Sequence, residues 1–240
     1  MLINSGKWTE DRLDRIIRES SKIGEPGARI DVLSRGFLGT IYMEHTLIGD
    51  RSTPEVLVVN LEGVDCFTFI DYVEAMRISG SFSEFVVNMQ KVRYREGRIT
   101  FEDRNHFFTD WGESNAVFVK DVTSEIGKSA AVKVLKLLNI KKDGTNWVSG
   151  IGPVQREMDY IPSGAANDQV FAGLRTGDYA GIYSDAPGLD VSHVGIIMKD
   201  EANIYLRHAS TRHKKVVDEN LRSYISDKPG LIIFRPRFRK

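Results

Sequence analysis

The chain has 240 residues, 41% hydrophobic and 28% charged, with 33 basic and 33 acidic side chains. That length and composition suit one soluble domain with a full core. The even charge balance gives no reason to expect nucleic acid or an anionic membrane as main partner. No apolar run approaches the ~20 residues of a membrane span, and no internal repeat or low-complexity tract interrupts the chain.

Thr9 to Lys22 reads as an amphipathic helix with Leu13, Ile16 and Ile17 on its apolar face, capped by Thr9 with Arg12 at N3 rather than an ideal Glu. Asp31 to Thr40 is expected as a second helix ending at Gly36 or Gly39. Pro54 to Leu61 is rich in β-branched residues and predicts a strand. From Cys66 to about Ser79, Phe67, Ile70, Val73 and Met76 recur in steps of three, which predicts a helix. Ser81 to Val92 repeats the pattern, with Ser81 or Ser83 as cap and Phe82, Phe85, Val86 and Met89 on one face. Ser129 to Leu138 reads as short helical or mixed, and Arg156, Glu157 and Tyr160 as the solvated face of a short helix. Gly177-Asp178 leads into a strand from Tyr179 to Tyr183. Two strands then form a hairpin, one entered through Val191-Ser192-His193 and the other running from Asn203 to Ser210. Lys215 to Asp218 (strand), Asn220 to Ser226 (helical turn) and Leu231 to Phe234 (strand) close the chain. Helices first and antiparallel strands after is the α+β order.

Cys66 is the chain's one cysteine, so no intrachain disulfide can form. A free thiol suits a reducing cytosol, and equally an envelope enzyme with an unpaired nucleophile. A lone cysteine is more often a small buried hydrophobe than a nucleophile. Here, however, Asp65 is placed to cap the helix and Cys66 to sit in its first turn. There the dipole and unpaired N–H groups favour a thiolate. At the other end of the chain, His193 begins one hairpin strand and His208 ends the other, so both imidazoles are expected at its open end. Cysteine, histidine and a polar third group form the arrangement for acyl transfer. A zinc site is a weaker use of the two histidines, since no H-E-x-x-H motif or clustered cysteines accompany them.

Gly63-Val64-Asp65-Cys66-Phe67-Thr68-Phe69 at the strand-to-helix turn, Ser192-His193-Val194-Gly195-Ile196 and His208-Ala209-Ser210 together resemble the NlpC/P60 superfamily of papain-like cell-wall hydrolases. Arg35-Gly36-Phe37-Leu38-Gly39-Thr40-Ile41-Tyr42, Tyr94-Arg95-Glu96-Gly97, the run from Arg104 to Trp111, Gly188-Leu189-Asp190 and Arg235-Pro236 are similar to one branch, the DUF1460 family described as N-acetylmuramoyl-L-alanine amidase-like. The likeness runs from about residue 30 to the end. It implies a single catalytic domain over residues 1–240, in which the nucleophile helix packs on an antiparallel sheet. A large insertion between Cys66 and His193, residues 93–170, would form part of the substrate cleft.

By the same resemblance Cys66 is the nucleophile, His193 the general base, His208 the orienting third residue, and Tyr42 a wall near the scissile carbonyl. The sequence departs from the family pattern at Ile41, where Pro is usual, and at Phe107, where Tyr is usual. Neither touches the triad, so these changes bear on substrate preference. The implied substrate is peptidoglycan or a muropeptide, cut between the lactyl group of N-acetylmuramic acid and L-alanine through a thioester, with no metal or other cofactor. Arg104, His106, Trp111 and Ser192 are candidate substrate contacts, although Phe107, Phe108 and Trp111 equally suit a core. His45 and His213 are expected to be exposed. Two rivals stay open: cleavage of the γ-D-glutamyl–diaminopimelate bond on the same fold, and a non-catalytic wall-binding module. The first residues lack a basic-then-apolar leader. The expectation is therefore an envelope or periplasmic enzyme whose leader has been removed, with cytoplasmic recycling of wall fragments as the alternative.

Overall fold

The computed structural model describes residues 1–238. In chain order the strands are β1 (Leu2–Asn4), β2 (Ile41–Tyr42), β3 (Val58–Asn60), β4 (Gly63–Val64), β5 (Val119–Asp121), β6 (Val132–Leu138) and β7 (Val154–Pro162). They continue with β8 (Tyr179–Tyr183), β9 (Val191–Lys199), β10 (Ile204–Ser210), β11 (Lys215–Asn220) and β12 (Gly230–Pro236). The helices are α1 (Glu10–Ser20), α2 (Pro26–Arg35), α3 (Cys66–Arg77), α4 (Phe82–Arg93), α5 (Phe108–Ser114), α6 (Thr123–Gly127), α7 (Asp168–Gly173) and α8 (Leu221–Ile225). The fold is mixed α+β. Its large sheet has the order β4-β2-β11-β10-β9-β8-β12-β7-β6, with β5 also on β12, and β1 pairs β3 separately. Most pairings are antiparallel, but β1 with β3 and β2 with β4 are parallel.

Helix α3 is the centre of the core, buried from Thr68 to Arg77 on every side. A helix buried all round must neutralise its own polar groups, and this one does. Asp71 receives Arg93 Nε at 2.8 Å and Trp111 Nε1 at 3.0 Å. Glu74 receives Arg77 Nη2 at 2.6 Å and the Tyr179 hydroxyl at 2.6 Å. At the C-terminal end, Arg29 of α2 donates to the carbonyls of Met76 and Ser79, which suits the negative end of the helix dipole. Around this frame Phe37, Phe69 and Tyr72 pack with ring centroids 5.6–6.4 Å apart.

Several elements differ from their sequence-based expectation. Helix α2 begins at Pro26, earlier than Asp31, because Glu25 caps it (its carboxylate accepts from Ala28 N at 2.5 Å) and proline is preset for N1. It ends at Arg35, with Gly36 as C-cap. Ser129 to Leu138 is not helical beyond a single turn. Val132–Leu138 is strand β6, in register with β7 from Val132↔Tyr160 to Leu138↔Val154. The same pairing makes Arg156, Glu157 and Tyr160 strand residues rather than a helix face. Arg156 is tied to Asp110 at 2.5 Å, and Tyr160 stacks on Tyr183 at 3.8 Å. Pairing with a partner distant in sequence has overridden local propensity here.

Candidate active site

The start of α3 is built as its sequence suggests. Asp65 accepts from Phe67 N at 3.0 Å and Thr68 N at 2.7 Å, while Thr68 Oγ1 accepts from Asp65 N at 3.0 Å, a reciprocal capping box. Cys66 is therefore the first helical residue, partly buried. The backbone N–H groups of Val194, Cys66 and Phe67 lie close enough to favour its ionised form. Val194 lies just beyond the last β9–β10 pair, Ile196↔Arg207. The sulfur of α3 thus meets β9 where the two hairpin strands part.

His193 reaches the same corner through an irregularity in the sheet. Ile182 pairs with His193 and Tyr183 with Val191, leaving Ser192 as the extra residue of a β-bulge. A bulge bends the strand and re-aims the side chains beside it. Ser192 itself is exposed, its hydroxyl 3.4 Å from the Ile182 carbonyl. The segment ahead of the bulge is tied down from two directions. Asp190 accepts from Thr109 N at 2.7 Å and Thr109 Oγ1 at 2.9 Å, and Lys136 donates to the carbonyls of Ser184, Ala186 and Leu189. Gly195 lets the strands close up, since a Cβ there would lie 3.0 Å from His208 Cβ and 2.9 Å from the Arg207 carbonyl oxygen.

The two imidazoles meet at this end of the hairpin. His193 Nε2 is 2.7 Å from His208 Nδ1, with the rings nearly perpendicular at 85°. The row continues: His208 Nε2 is 2.8 Å from Glu219 Oε2, and His213 Nε2 is 3.4 Å from Glu219 Oε1. Sequence reasoning missed Glu219. The signal was its place on β11, diagonal to His208 in the register His208↔Val217, but that register needs the structure. It also missed Tyr224 of α8, whose ring lies 5.0 Å from that of His208 and 6.3 Å from that of His193.

Burial controls the electrostatics. It pushes the Cys66 thiol up to about 12, with Asp65 adding to the shift and the three backbone N–H groups opposing it. It pushes His193 down to about 3, with His208 adding to the shift. Both shifts favour a neutral thiol and a neutral imidazole over the thiolate expected from the helix dipole alone. One turn of dipole and a few N–H groups do not offset desolvation. His208 is also lowered by burial, against the pull of Glu219. Burial acts to raise Glu219, but its contacts with His208 and His213 outweigh that and hold it below the usual carboxylate value. Tyr42 and Tyr224 are both pushed up to about 12, by burial first and also by proximity to Cys66, so both keep their phenolic protons.

Two hollows are lined by residues of this corner, one by the chain neighbours of Cys66 and the other by the two histidines. One, of about 340 Å³, is bordered by Asp65, Phe67, Thr46, Arg104, Asn105 and His106. The other, of about 580 Å³, is bordered by His193, His208, Glu219, Tyr224, Arg212 and Lys228. Tyr42, on β2, is partly buried with the Lys214 ammonium 5.9 Å from its ring centre. Arg104 donates to Glu55 at 3.1 Å and lies over the Phe101 ring. His106 Nε2 is 2.7 Å from the Phe101 carbonyl oxygen. Trp111 is fully buried in the core with Phe107 and Phe108, so its place is beside Asp71 rather than on an open wall. His45 is exposed at the rim of the first hollow, and His213 is half-exposed. Among the described residues no group of three or more His, Cys, Asp or Glu side chains could hold a metal ion, and no helix is long and apolar enough to cross a membrane.

Residues 32–231 match the family model described as N-acetylmuramoyl-L-alanine amidase-like. The chain belongs to this family. Among solved structures it is similar to a DUF1460-family protein of Legionella pneumophila, with TM-score 0.77, 22% identity and coverage of 95% of both chains. It is also similar to structures described as an N-acetylmuramoyl-L-alanine amidase of Bacteroides uniformis. One has TM-score 0.74 and 27% identity, covering 89% of this chain and 100% of that one. Another has TM-score 0.72 and 26% identity, with the same coverage. No curated protein matches the chain.

Proposed function

We propose that the protein is a papain-like cysteine amidase of the NlpC/P60 kind that cuts the bond between N-acetylmuramic acid and L-alanine in peptidoglycan or its fragments. The observation that carries this is the hydrogen-bonded pair His193–His208, on a strand whose Val194 backbone borders Cys66 at a capped helix start, in a chain of the amidase-like family. The Bacteroides uniformis neighbours described as N-acetylmuramoyl-L-alanine amidase supply the choice of bond.

In the proposed reaction His193 takes the thiol proton as the sulfur attacks the lactyl carbonyl carbon. The carbonyl oxygen becomes an oxyanion, met by the Cys66 backbone N–H and the Tyr42 hydroxyl. The C–N bond then breaks, its electron pair goes to nitrogen, and His193 returns its proton there, releasing the stem peptide. Water activated by His193 attacks the muramoyl thioester and regenerates the thiol. The starting pair is neutral, so proton transfer accompanies attack instead of preceding it. The hollow between Asp65 and His106, with Arg104 at its edge, is bordered by both chain neighbours of Cys66 and suits part of an acidic stem peptide. Arg104 and His106 fall within residues 93–170, which we assign to the cleft on that ground.

The test is mass spectrometry of N-acetylmuramyl tri- and tetrapeptides incubated with wild type and with Cys66→Ala. Free stem peptide beginning with L-alanine, from the wild type only, is the expected result. A dipeptide left on the sugar would move the cut to the γ-D-glutamyl bond. No cleavage by either protein would favour a wall-binding module.

A further inference from the structure

Glu219 is the member of the row whose hydrogen-bonding role is fixed by its chemistry. An ionised carboxylate can only accept. With Oε2 at 2.8 Å, the His208 nitrogen facing it, Nε2, must carry a proton. A neutral imidazole has one N–H, so His208 Nδ1 is then an acceptor. His193 Nε2 lies 2.7 Å from that acceptor and must be the donor. A neutral His193 with its proton on Nε2 has a bare lone pair on Nδ1. From the order of the row we infer that Glu219 is a positioning residue that sets both histidine tautomers and leaves His193 Nδ1 as the base that takes the thiol proton. The inference rests on reading Cys66 and His193 as nucleophile and base, and goes beyond it by adding a fourth member.

The placement supports this. His193, His208 and Glu219 lie on the adjacent strands β9, β10 and β11, so backbone ladders fix their spacing. The other carboxylate on the same strand, Asp218, is committed to Arg207 through two hydrogen bonds of 2.7 and 2.8 Å and does not compete. The groups around Glu219 are His208 on β10, His213 on the following turn and Tyr224 on α8. Arg212, Asp227 and Lys228 border the same hollow. Burial holds His208 neutral and its histidine contacts hold Glu219 ionised, as the tautomer assignment requires. During turnover no proton needs to reach Glu219. The thiol proton moves to His193 Nδ1, the imidazolium keeps its Nε2–H on His208, and the carboxylate offsets the new charge through the intervening ring.

The test combines tautomers and rates. In wild-type protein with ¹⁵N-labelled histidine near pH 7, the expected nitrogen shifts show His193 and His208 both protonated at Nε2 and bare at Nδ1. In Glu219→Gln the side-chain amide can donate to His208 Nε2 and reverse the row. The Nδ1 resonance of His193 should then move toward the protonated position. A carboxylate-to-amide exchange directly behind a catalytic histidine costs about 10⁴ in kcat. One ring further out we expect about 10², with KM for the muropeptide little changed and partial recovery in Glu219→Asp. A wild-type His193 protonated at Nδ1 would overturn the inference, as would Glu219→Gln with wild-type tautomers and kcat. If Glu219→Gln does not fold, the wild-type tautomers and Glu219→Asp still decide. If no muropeptide is cut by any form, the amidase reading fails while the nitrogen shifts still test Glu219.

Discussion

At the residue scale, the site sets a cysteine and a histidine whose charged forms are both disfavoured by burial. In the proposed reaction a thiol held up at about 12 gains its nucleophilic form only as the His193 imidazole accepts the proton. Accordingly, alkylation of Cys66 by iodoacetamide should be slow at pH 7 and rise with pH above neutrality, with no plateau near the ordinary thiol value. Fast alkylation with a plateau at pH 6–7 would instead indicate a preformed thiolate. Tyr42 keeps its proton and can donate to an oxyanion. Tyr42→Phe should lower kcat by about 10², the cost of one such donor, with little change in KM. Equal kcat in the variant would remove Tyr42 from the reaction. The placement of Cys66 at a helix start and of His193 and His208 at one end of a hairpin could be read from the sequence, because position within local elements carries that information. Glu219 and Tyr224 could not. A glutamate on a short polar strand looks like surface until β11 is laid against β10. Trp111 and Ser192 had the residue types of a substrate wall. Their positions, in the core and at a bulge, depend on packing that no local pattern encodes.

At the scale of elements, buried charge ties helix α3 to its neighbours, and close strand approach shapes the β9–β10 hairpin. Asp71 ties α3 to α4 through Arg93 and to α5 through Trp111. Asp71→Ala leaves a buried guanidinium without its carboxylate, so denaturant unfolding should show a loss of about 3–5 kcal/mol. A loss below about 1 kcal/mol would mean that the pair is a minor tie. Gly195→Ala puts a methyl against His208 Cβ and the Arg207 carbonyl. It should reduce kcat more than it reduces Tm, because β9 and β10 must separate where the two histidines meet. Unchanged kcat would show that the strands accommodate the methyl elsewhere. The helices α1, α3 and α4 were legible from their caps and three-to-four-residue apolar spacing, within a residue or two at each end. Strands β6 and β7 were not. Lys133, Lys136, Arg156 and Glu157 carry helix-compatible composition, and only the ladder between Val132 and Tyr160 makes them strand.

At the scale of the molecule, the histidines make folding sensitive to acid. Burial lowers His193 from 6.5 to about 3 and His106 from 6.5 to about 4. Between pH 6.5 and those values the unfolded chain binds protons that the folded chain refuses, so stability falls as pH drops through this window. Glu219, lowered in the folded state, adds to the loss as pH falls below the ordinary carboxylate value of 4.5. Tm should therefore decline from about pH 6.5 downward, as the ordinary histidine value dictates, and His106→Gln should shallow the decline without affecting thiol alkylation. A Tm that stays level from pH 7 to pH 4 would contradict the burial of these rings. The central claim is a muramoyl thioester on Cys66, and the most direct measurement is muropeptide digestion in the presence of hydroxylamine, read by mass spectrometry. The account predicts an N-acetylmuramoyl hydroxamate together with intact stem peptide in the wild type, and neither in Cys66→Ala. Hydrolysis without any hydroxamate, or a hydroxamate formed on the γ-glutamyl carbonyl, would contradict it.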